Sequence, residues 1–371
     1  PRQWTADEDA APFALPVTPA EDSAELAARC AAEPFDLGRQ NGWRAHLVPA
    51  RHPTDAGRHT PDTGRHTPGA GRHRPDQLVF VKHHILADAW AQEVLRRELL
   101  RELTTPGSLG APAPGPADLA AEQYGPDGLR RRRAAAEHWR RMLEQAPEAQ
   151  LPASGDTPGG REGGREDGAV VQGTLRSQAA LAGARALADR AGVSVASAVL
   201  AAYARAVGRR CGSDALLIRL MSANRFSGRW RDLVTSMNQW VPALVTGVDG
   251  DVGALARTAH WSSLRAVRHG MHDVREVAAL RAAMPGAPEA ACAFNHVAVP
   301  PADGTRAAVR QAEPVEPTVS FETPFTTIGP RCYARSQEDG HTLTVRLTAR
   351  DIGRAECGAL LWELHDTLLA A

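Results

Sequence analysis

The sequence predicts an α/β fold in two lobes, an α+β sandwich with mixed sheets. Three observations lead there. Strand-like and helix-like patterns alternate in both halves of the chain. The run LPASGDTPGGREGGREDG at 151–168, rich in Gly and charge, separates those halves. Near the end, RCYARSQ and HTLTVRLT flank an EDG turn, which marks an antiparallel hairpin. The expected division is an N-terminal lobe over 1–150, a linker over 151–168 and a C-terminal lobe over 169–371.

The first half begins with an irregular acidic stretch, then a helix at about 22–32 (EDSAELAARCA) with acidic residues at its start. PFDLGRQNGWRAHLVP reads as a turn leading into a strand over Trp43–Val48. Residues 51–76 are a low-complexity insert, with GRHTP at 57–61 and 64–68 and GRHRP at 71–75. The spacing of seven is no coiled-coil heptad, because Pro and Gly recur in every copy. It sets His52, His59, His66 and His73 at equal intervals. Imidazoles so arrayed can ligate metal; the plain alternative is a flexible surface loop on the connection between two strands. The second strand is QLVFVKHH, and a helix follows from Asp88. Residues 104–118 read as a Pro/Gly loop, and a helix carrying Trp139 and Leu143, four apart on one face, runs to about 145.

Beyond the linker, VVQGTL is a strand and SQAALAGARALADRAG a helix. Ser194 caps a second helix with a strong apolar face, VASAVLAAYARAVGRR. DALLIRLMSANR is a buried strand ending in a polar turn. A helix near 251–268, the strand-like ACAFNHVAV, the hairpin and a closing helix over AECGALLWELHDTLLAA complete the chain.

Composition narrows the function. Of 371 residues, 43% are hydrophobic and 23% charged, as in ordinary globular proteins. Formal net charge is zero, which removes the electrostatic case for nucleic acid or an anionic membrane surface. No apolar run approaches bilayer-spanning length. The opening PRQWTADEDAAPF has neither the basic nor the apolar region of a signal peptide. It starts on Pro1 and reads as the middle of something, so a fragment of a longer protein is expected. The five cysteines (Cys30, Cys211, Cys292, Cys332, Cys357) are scattered without a CxxC pair. This argues against a disulfide framework or zinc site and for a reducing, cytoplasmic setting.

The chemistry centres on HHILADAW at 83–90. In strand register, Leu78, Phe80, Lys82 and His84 share one side, and Val79, Val81 and His83 the other. The strand ends at the histidines, where side chains project from a rigid frame, and Asp88 lies at the helix start. One reading is structural: Asp88 a helix cap, His83 a half-buried packing residue, His84 a surface histidine. The other is catalytic. An imidazole can take a proton from an amine or hydroxyl attacking a thioester, or orient it, with Asp88 holding the loop by pairing with an arginine elsewhere.

Taken in order, PFDLGRQNGWRAHLV, LVFVKHHILADAW, AAEHWRRML, the Gly-rich crossover and MSANR resemble the condensation domains of nonribosomal peptide synthetases, of the chloramphenicol-acetyltransferase-like superfamily. The resemblance extends through FNHVAV to the final hairpin and helix. It implies two lobes with a tunnel between them. It implies that His84 is the histidine that catalyses or orients the attacking amine, that His83 is mainly structural, and that Asp88 forms an ion pair, for which Arg225, next to Asn224 in SANR, is the best candidate. The pattern departs at Ala89, where the family has glycine, and at Ala91, where serine is common. Trp90 keeps the frame. LVTSMNQWVPALV keeps the apolar pattern and Pro242 of a later motif but little else, and His272 and Asp273 match an HQD-like element imperfectly. The strand and long helix with which such domains normally begin are missing from the front.

What the resemblance implies is an acyltransferase that joins a carrier-bound acyl or peptidyl thioester to an amine. Substrates arrive on the phosphopantetheine arms of donor and acceptor carrier proteins, so no bound cofactor or metal is implied. The family's heterocyclisation domains replace the histidines with aspartate. Epimerising and ester-forming relatives keep them and stay open. The alternative of a different class is a non-catalytic condensation-like domain that binds carriers or recruits tailoring enzymes; Ala89 and the weakened later motifs favour it, and the intact histidines and Asp88 oppose it.

Overall fold

The computed structural model describes residues 15–18, 22–49, 76–147, 170–284, 286, 288–290, 292–297, 315–323, 330–350 and 352–371. The histidine repeat and the 151–168 linker lie outside them. The chain divides into two compact units, Pro1–Pro116 with Arg229–Met237, and Ala117–Gly228 with Asn238–Ala371. The division expected from the sequence, at 151–168, differs from this one in two places. The helix bearing Trp139 packs with the second unit, and a short segment from the second half packs with the first.

In the first unit, helix α1 (Ser23–Ala32) is capped by Asp22, whose carboxylate accepts the Ala24 N–H. Strands β1 (Trp43–Val48) and β2 (Gln77–Lys82) pair antiparallel, Trp43 opposite Lys82 and Val48 opposite Gln77. Leu26 and Cys30 of α1 pack with Val48 and Val79, and Val81 adds to that small core. Leu78 and Phe80 point the other way and are exposed, as the alternation predicts. Trp43 stacks on Phe80 with ring centroids 5.8 Å apart. Helix α2 (Ala89–Thr104) follows.

The second unit opens with α3 (Pro116–Tyr124) and α4 (Pro126–Gln145). Seven strands follow: β3 (Val170–Ser177), β4 (Ala215–Ser222), β5 (Gln239–Thr246), β6 (Cys292–Val297), β7 (Thr318–Glu322), β8 (Cys332–Glu338) and β9 (Leu343–Arg350). They form one mixed sheet in the order β5-β4-β6-β8-β9-β3-β7, with β4–β6 and β6–β8 parallel and the other pairs antiparallel. The EDG hairpin joins β8 to β9, with Gly340 in the left-handed region at φ 92°. Helices α5 (Gln178–Ala191), α6 (Val195–Cys211), α7 (Val252–Val267) and α9 (Arg354–Leu369) contribute to the main core, and α8 (Val274–Ala282) to a smaller one. Helix α6 is buried almost all round, from Ser197 to Gly208, which explains its unbroken apolar sequence. Its Tyr203 hydroxyl donates to the Cys332 carbonyl at 3.0 Å. All five cysteines are free thiols. Burial pushes the Cys332 thiol up to about 12, so it stays protonated and inert.

Four elements of this unit have no counterpart in the sequence reading: helices α3 and α8 and strands β5 and β7. Strand β5 is the instructive one. Pro242 sits within an unbroken ladder opposite Arg219 of β4, and its missing N–H is tolerated because β5 is an edge strand. Helix α4 covers this edge. His138 of α4 is 5% exposed, and its Nε2 donates to the Pro242 carbonyl at 2.8 Å. The next residue, Trp139, and Leu143 one turn beyond it pack with Leu217, Val277 and Ala290. These contacts are why α4 belongs with the second unit.

Burial lowers the His138 pKa from 6.5 to about 4, with the Pro242 bond opposing and nearby cations assisting. Between those values the unfolded chain binds the extra proton and the folded protein does not. This contribution to stability is therefore full above about pH 6.5, falls as the pH drops from about 6.5 to about 4, and is level below that. The expected loss from this one group is about 3 kcal/mol. Urea unfolding of the wild type and His138→Gln across this range measures it: the difference between the two proteins should shrink as the pH falls, and a constant difference would contradict it.

Candidate active site

The turn after β2 is built from backbone groups. The His83 N–H donates to the Gly42 carbonyl at 2.7 Å, and the His83 carbonyl accepts the Leu86 N–H at 3.1 Å. The Ile85 N–H donates to His83 Nδ1 at 3.2 Å, which places the imidazole proton on Nε2. Gly42 leaves room for the leucine of this turn, since a Cβ there would stand 2.6 Å from Leu86 Cδ1 and push that side chain aside. The PFDL turn supports the same ring: Phe35 meets His83 edge-on at 6.1 Å. Phe35 is in turn held by the Arg44 guanidinium, 3.9 Å above its ring. Arg44 also donates to the carbonyls of Cys30, Glu33 and Pro34, which end α1. These contacts fix the His83 ring in place. His84, next along the turn, is exposed, and among the described residues no hydrogen bond holds its ring. It stands on a fixed backbone with its imidazole available.

Asp88 closes the turn. Its carboxylate is 2% exposed. Oδ1 accepts the Ala91 N–H at 2.9 Å and so caps α2, and Oδ2 accepts the Met237 N–H at 2.9 Å. The helix-cap role read from the sequence is therefore real, but it is half of what the carboxylate does. The other half fastens the segment Arg229–Met237, which is distant in sequence. Two further clasps do the same: Trp90 Nε1 donates to the Arg231 carbonyl at 2.8 Å, and Arg97 pairs with Asp232 at 2.7 Å. Lys82 Nζ donates to the Ala87 carbonyl at 2.6 Å. Burial lowers its pKa, and the Asp88 charge opposes the shift. Ala89 is the first residue of α2 and exposed, a position that suits alanine.

Asn224 and Arg225 lie in the second unit, at the end of β4. Asn224 has φ 56° and is buried, a left-handed conformation that asparagine tolerates better than most residues. It is held by the Ser222 hydroxyl, which donates to Oδ1 at 2.8 Å, while its Nδ2 donates to the Gly270 carbonyl at 3.3 Å. Gln239 at the start of β5 joins this network: it accepts the His272 N–H at 3.1 Å and donates to the His272 carbonyl at 2.9 Å. A Cβ on Gly270 would lie 2.3 Å from Ser222 Oγ and 2.4 Å from Asn224 Oδ1, so only glycine fits. Asp273 caps α8 and binds Arg132 of α4 at 2.6 Å. This network sets the backbone that carries Arg225, itself 8% exposed. Gln239 and residues 233–237 fall in LVTSMNQWVPALV, read from the sequence only as a weakened motif, and Gly270 has no role in that reading. Their roles run through backbone groups or through meetings across the sheet, which leave no periodic trace. Among the described residues, no group of three or more His, Cys, Asp or Glu side chains is placed to hold a metal ion, and no single helix is long and apolar enough to cross a membrane.

Replacing Asp88 by Asn puts an N–H donor against one of two buried amide donors. The expected cost is about 2 kcal/mol, read as a lower urea midpoint with an unchanged slope. A change below about 0.5 kcal/mol would show that the clasp contributes no more than an exposed polar contact.

No family model matches the chain. The AMB antimetabolite synthetase AmbB of Pseudomonas aeruginosa is 32% identical over 202 residues, which is 54% of this chain and 15% of that protein. The chain thus corresponds to a small part of that synthetase. Among solved structures, the one describing condensation domain-mediated chain release from the enacyloxin polyketide synthase superposes with a TM-score of 0.68 at 22% identity, covering 96% of this chain and 67% of that one. The X-domain in complex with OxyB from teicoplanin biosynthesis superposes with a TM-score of 0.63 at 19% identity, covering 98% of this chain and 78% of that one. The chain has the fold of the condensation domains.

Proposed function

We propose that the chain performs condensation-type acyl transfer, joining an acyl or peptidyl thioester carried by one carrier protein to an amine, with His84 as the residue that acts on the reacting groups. The observation that carries this reading is the turn itself. Six backbone and side-chain contacts fix His83, Ile85, Leu86 and Asp88, and His84 alone is left with an exposed ring. A rigid frame around a free imidazole is what proton transfer or amine positioning requires. In the reaction the amine nitrogen attacks the thioester carbonyl, the C–N bond forms, the C–S bond breaks, and the amine proton passes by way of His84 to the departing thiolate. The phosphopantetheine thiol belongs to the carrier, so His84 needs no bound cofactor. Asp88 and His83 act as positioning residues. A synthetase setting in the cytoplasm with donor and acceptor carrier proteins as partners fits this reading.

A second reading is favoured by Ala89, which adds a methyl where the resemblance expects glycine, and by the fit to an X-domain whose structure was solved with the partner protein OxyB. On that reading the domain recruits a partner and makes no bond.

The test supplies an aminoacyl-loaded donor carrier and an acceptor amine to the chain in its native synthetase and follows product by intact mass. His84→Ala should lower the rate by about 10²–10⁴ while leaving the unfolding midpoint unchanged. Product formation that survives the substitution removes His84 from the chemistry. No product from the unsubstituted synthetase supports the recruiting role.

A further inference from the structure

The second unit holds a cavity that none of this uses. It lies between α4, β5 and α7, has a volume of about 380 Å³, and is lined by His138, His269, Arg141 and Arg265, with Met142 and Leu244 as its apolar wall. That is within the range of small-molecule sites. The His138 and His269 rings stack with centroids 4.8 Å apart and planes 17° from parallel. His138 is buried, His269 half-buried, and Arg141 and Arg265 are exposed, so the histidines form the inner part and the arginines the mouth.

The charge in this cavity is one-sided. Arg141 and Arg265 face His138, and Arg141 and Arg268 face His269. From β5 come only Leu244 and Thr246, neither of which titrates. Among the described residues no carboxylate lines the cavity. His138 Nε2 is committed to the Pro242 carbonyl, so a second proton on that ring goes to Nδ1 and adds a donor. Ser262 adds a hydroxyl. Four basic side chains converge on a space with nothing anionic among them to balance them.

We propose that this cavity binds a small oxyanion of the phosphate or sulfate type, gripped by Arg141 and Arg265 at the mouth and by His138 and His269 inside. Burial and the neighbouring arginines hold both imidazoles neutral at pH 7 in the empty cavity. A bound dianion reverses that field and draws a proton onto the pair, so binding and protonation reinforce one another. Binding therefore tightens as the pH falls. The apolar wall of Met142 and Leu244 suits an anion borne on a compact organic group.

Sulfate is the probe, because its own charge does not change across the range used. Calorimetric titration of the full chain should show saturable binding that strengthens at least about tenfold between about pH 8 and about pH 6. The Arg141→Gln/Arg265→Gln double variant changes exposed residues and should keep its unfolding midpoint while losing about tenfold or more in affinity. His269→Gln should keep binding but flatten its pH dependence. Absence of saturable binding, equal affinity in the double variant, or no change with pH would each overturn the proposal. Parallel arms with inorganic phosphate and glycerol phosphate separate a free ion, bound equally or better, from an organic phosphate, bound more tightly through the apolar wall.

Discussion

A single buried carboxylate organises the first unit. Asp88 accepts one amide from the first turn of α2 and one from Met237, 149 residues away in sequence. Asp88 is almost wholly shielded from water, and a buried donor left unsatisfied costs about 1–3 kcal/mol. Both bonds are charge-assisted, which makes them stronger than neutral ones. Together they hold the turn that carries His84 between a helix start and a returning segment of the chain. The free imidazole is positioned by contacts that are not its own.

The second unit solves a different problem. Its seven-stranded sheet ends on β5, an edge strand that contains Pro242. An edge of that kind is open to pairing with other chains. Helix α4 closes it, and the buried His138 satisfies the proline's carbonyl. Keeping that histidine neutral has a price in acid, and it leaves a basic cavity beside the sheet edge. At the other end of β4 and β5, Asn224 takes a left-handed turn that Ser222, Gln239 and Gly270 enclose. Each of these three is matched to the turn by hydrogen bonding or by its lack of a side chain.

Much of this was readable in the sequence. The alternation in QLVFVK gave the strand and its two faces, Asp88 gave the helix start, and the order of short motifs around HHILADAW pointed to the condensation-domain fold. Other parts left no sequence signature. Strand β5 escaped because Pro242 breaks its pattern. Helix α3 escaped because its first residues belong to a Pro/Gly-rich stretch, and α8 because nine residues carry little periodicity. The 229–237 segment is held mainly through Met237 N–H and the Arg231 carbonyl, groups that every residue but proline and every residue respectively possess. The lobe boundary followed the same logic. Gly-rich sequence marks where a linker can lie, but the packing of Trp139 and Leu143 decides to which unit α4 belongs.

The direct test of the Asp88 clasp is amide hydrogen exchange at Met237. The residue lies outside any helix or strand, and its N–H donates to the Asp88 carboxylate. If the buried carboxylate holds this segment, the Met237 amide exchanges as slowly as the amides in the middle of α2, and both speed up together in Asp88→Asn. Exchange at the rate of an open loop amide in the wild-type protein would contradict the claim that Asp88 sets the frame in which His84 stands.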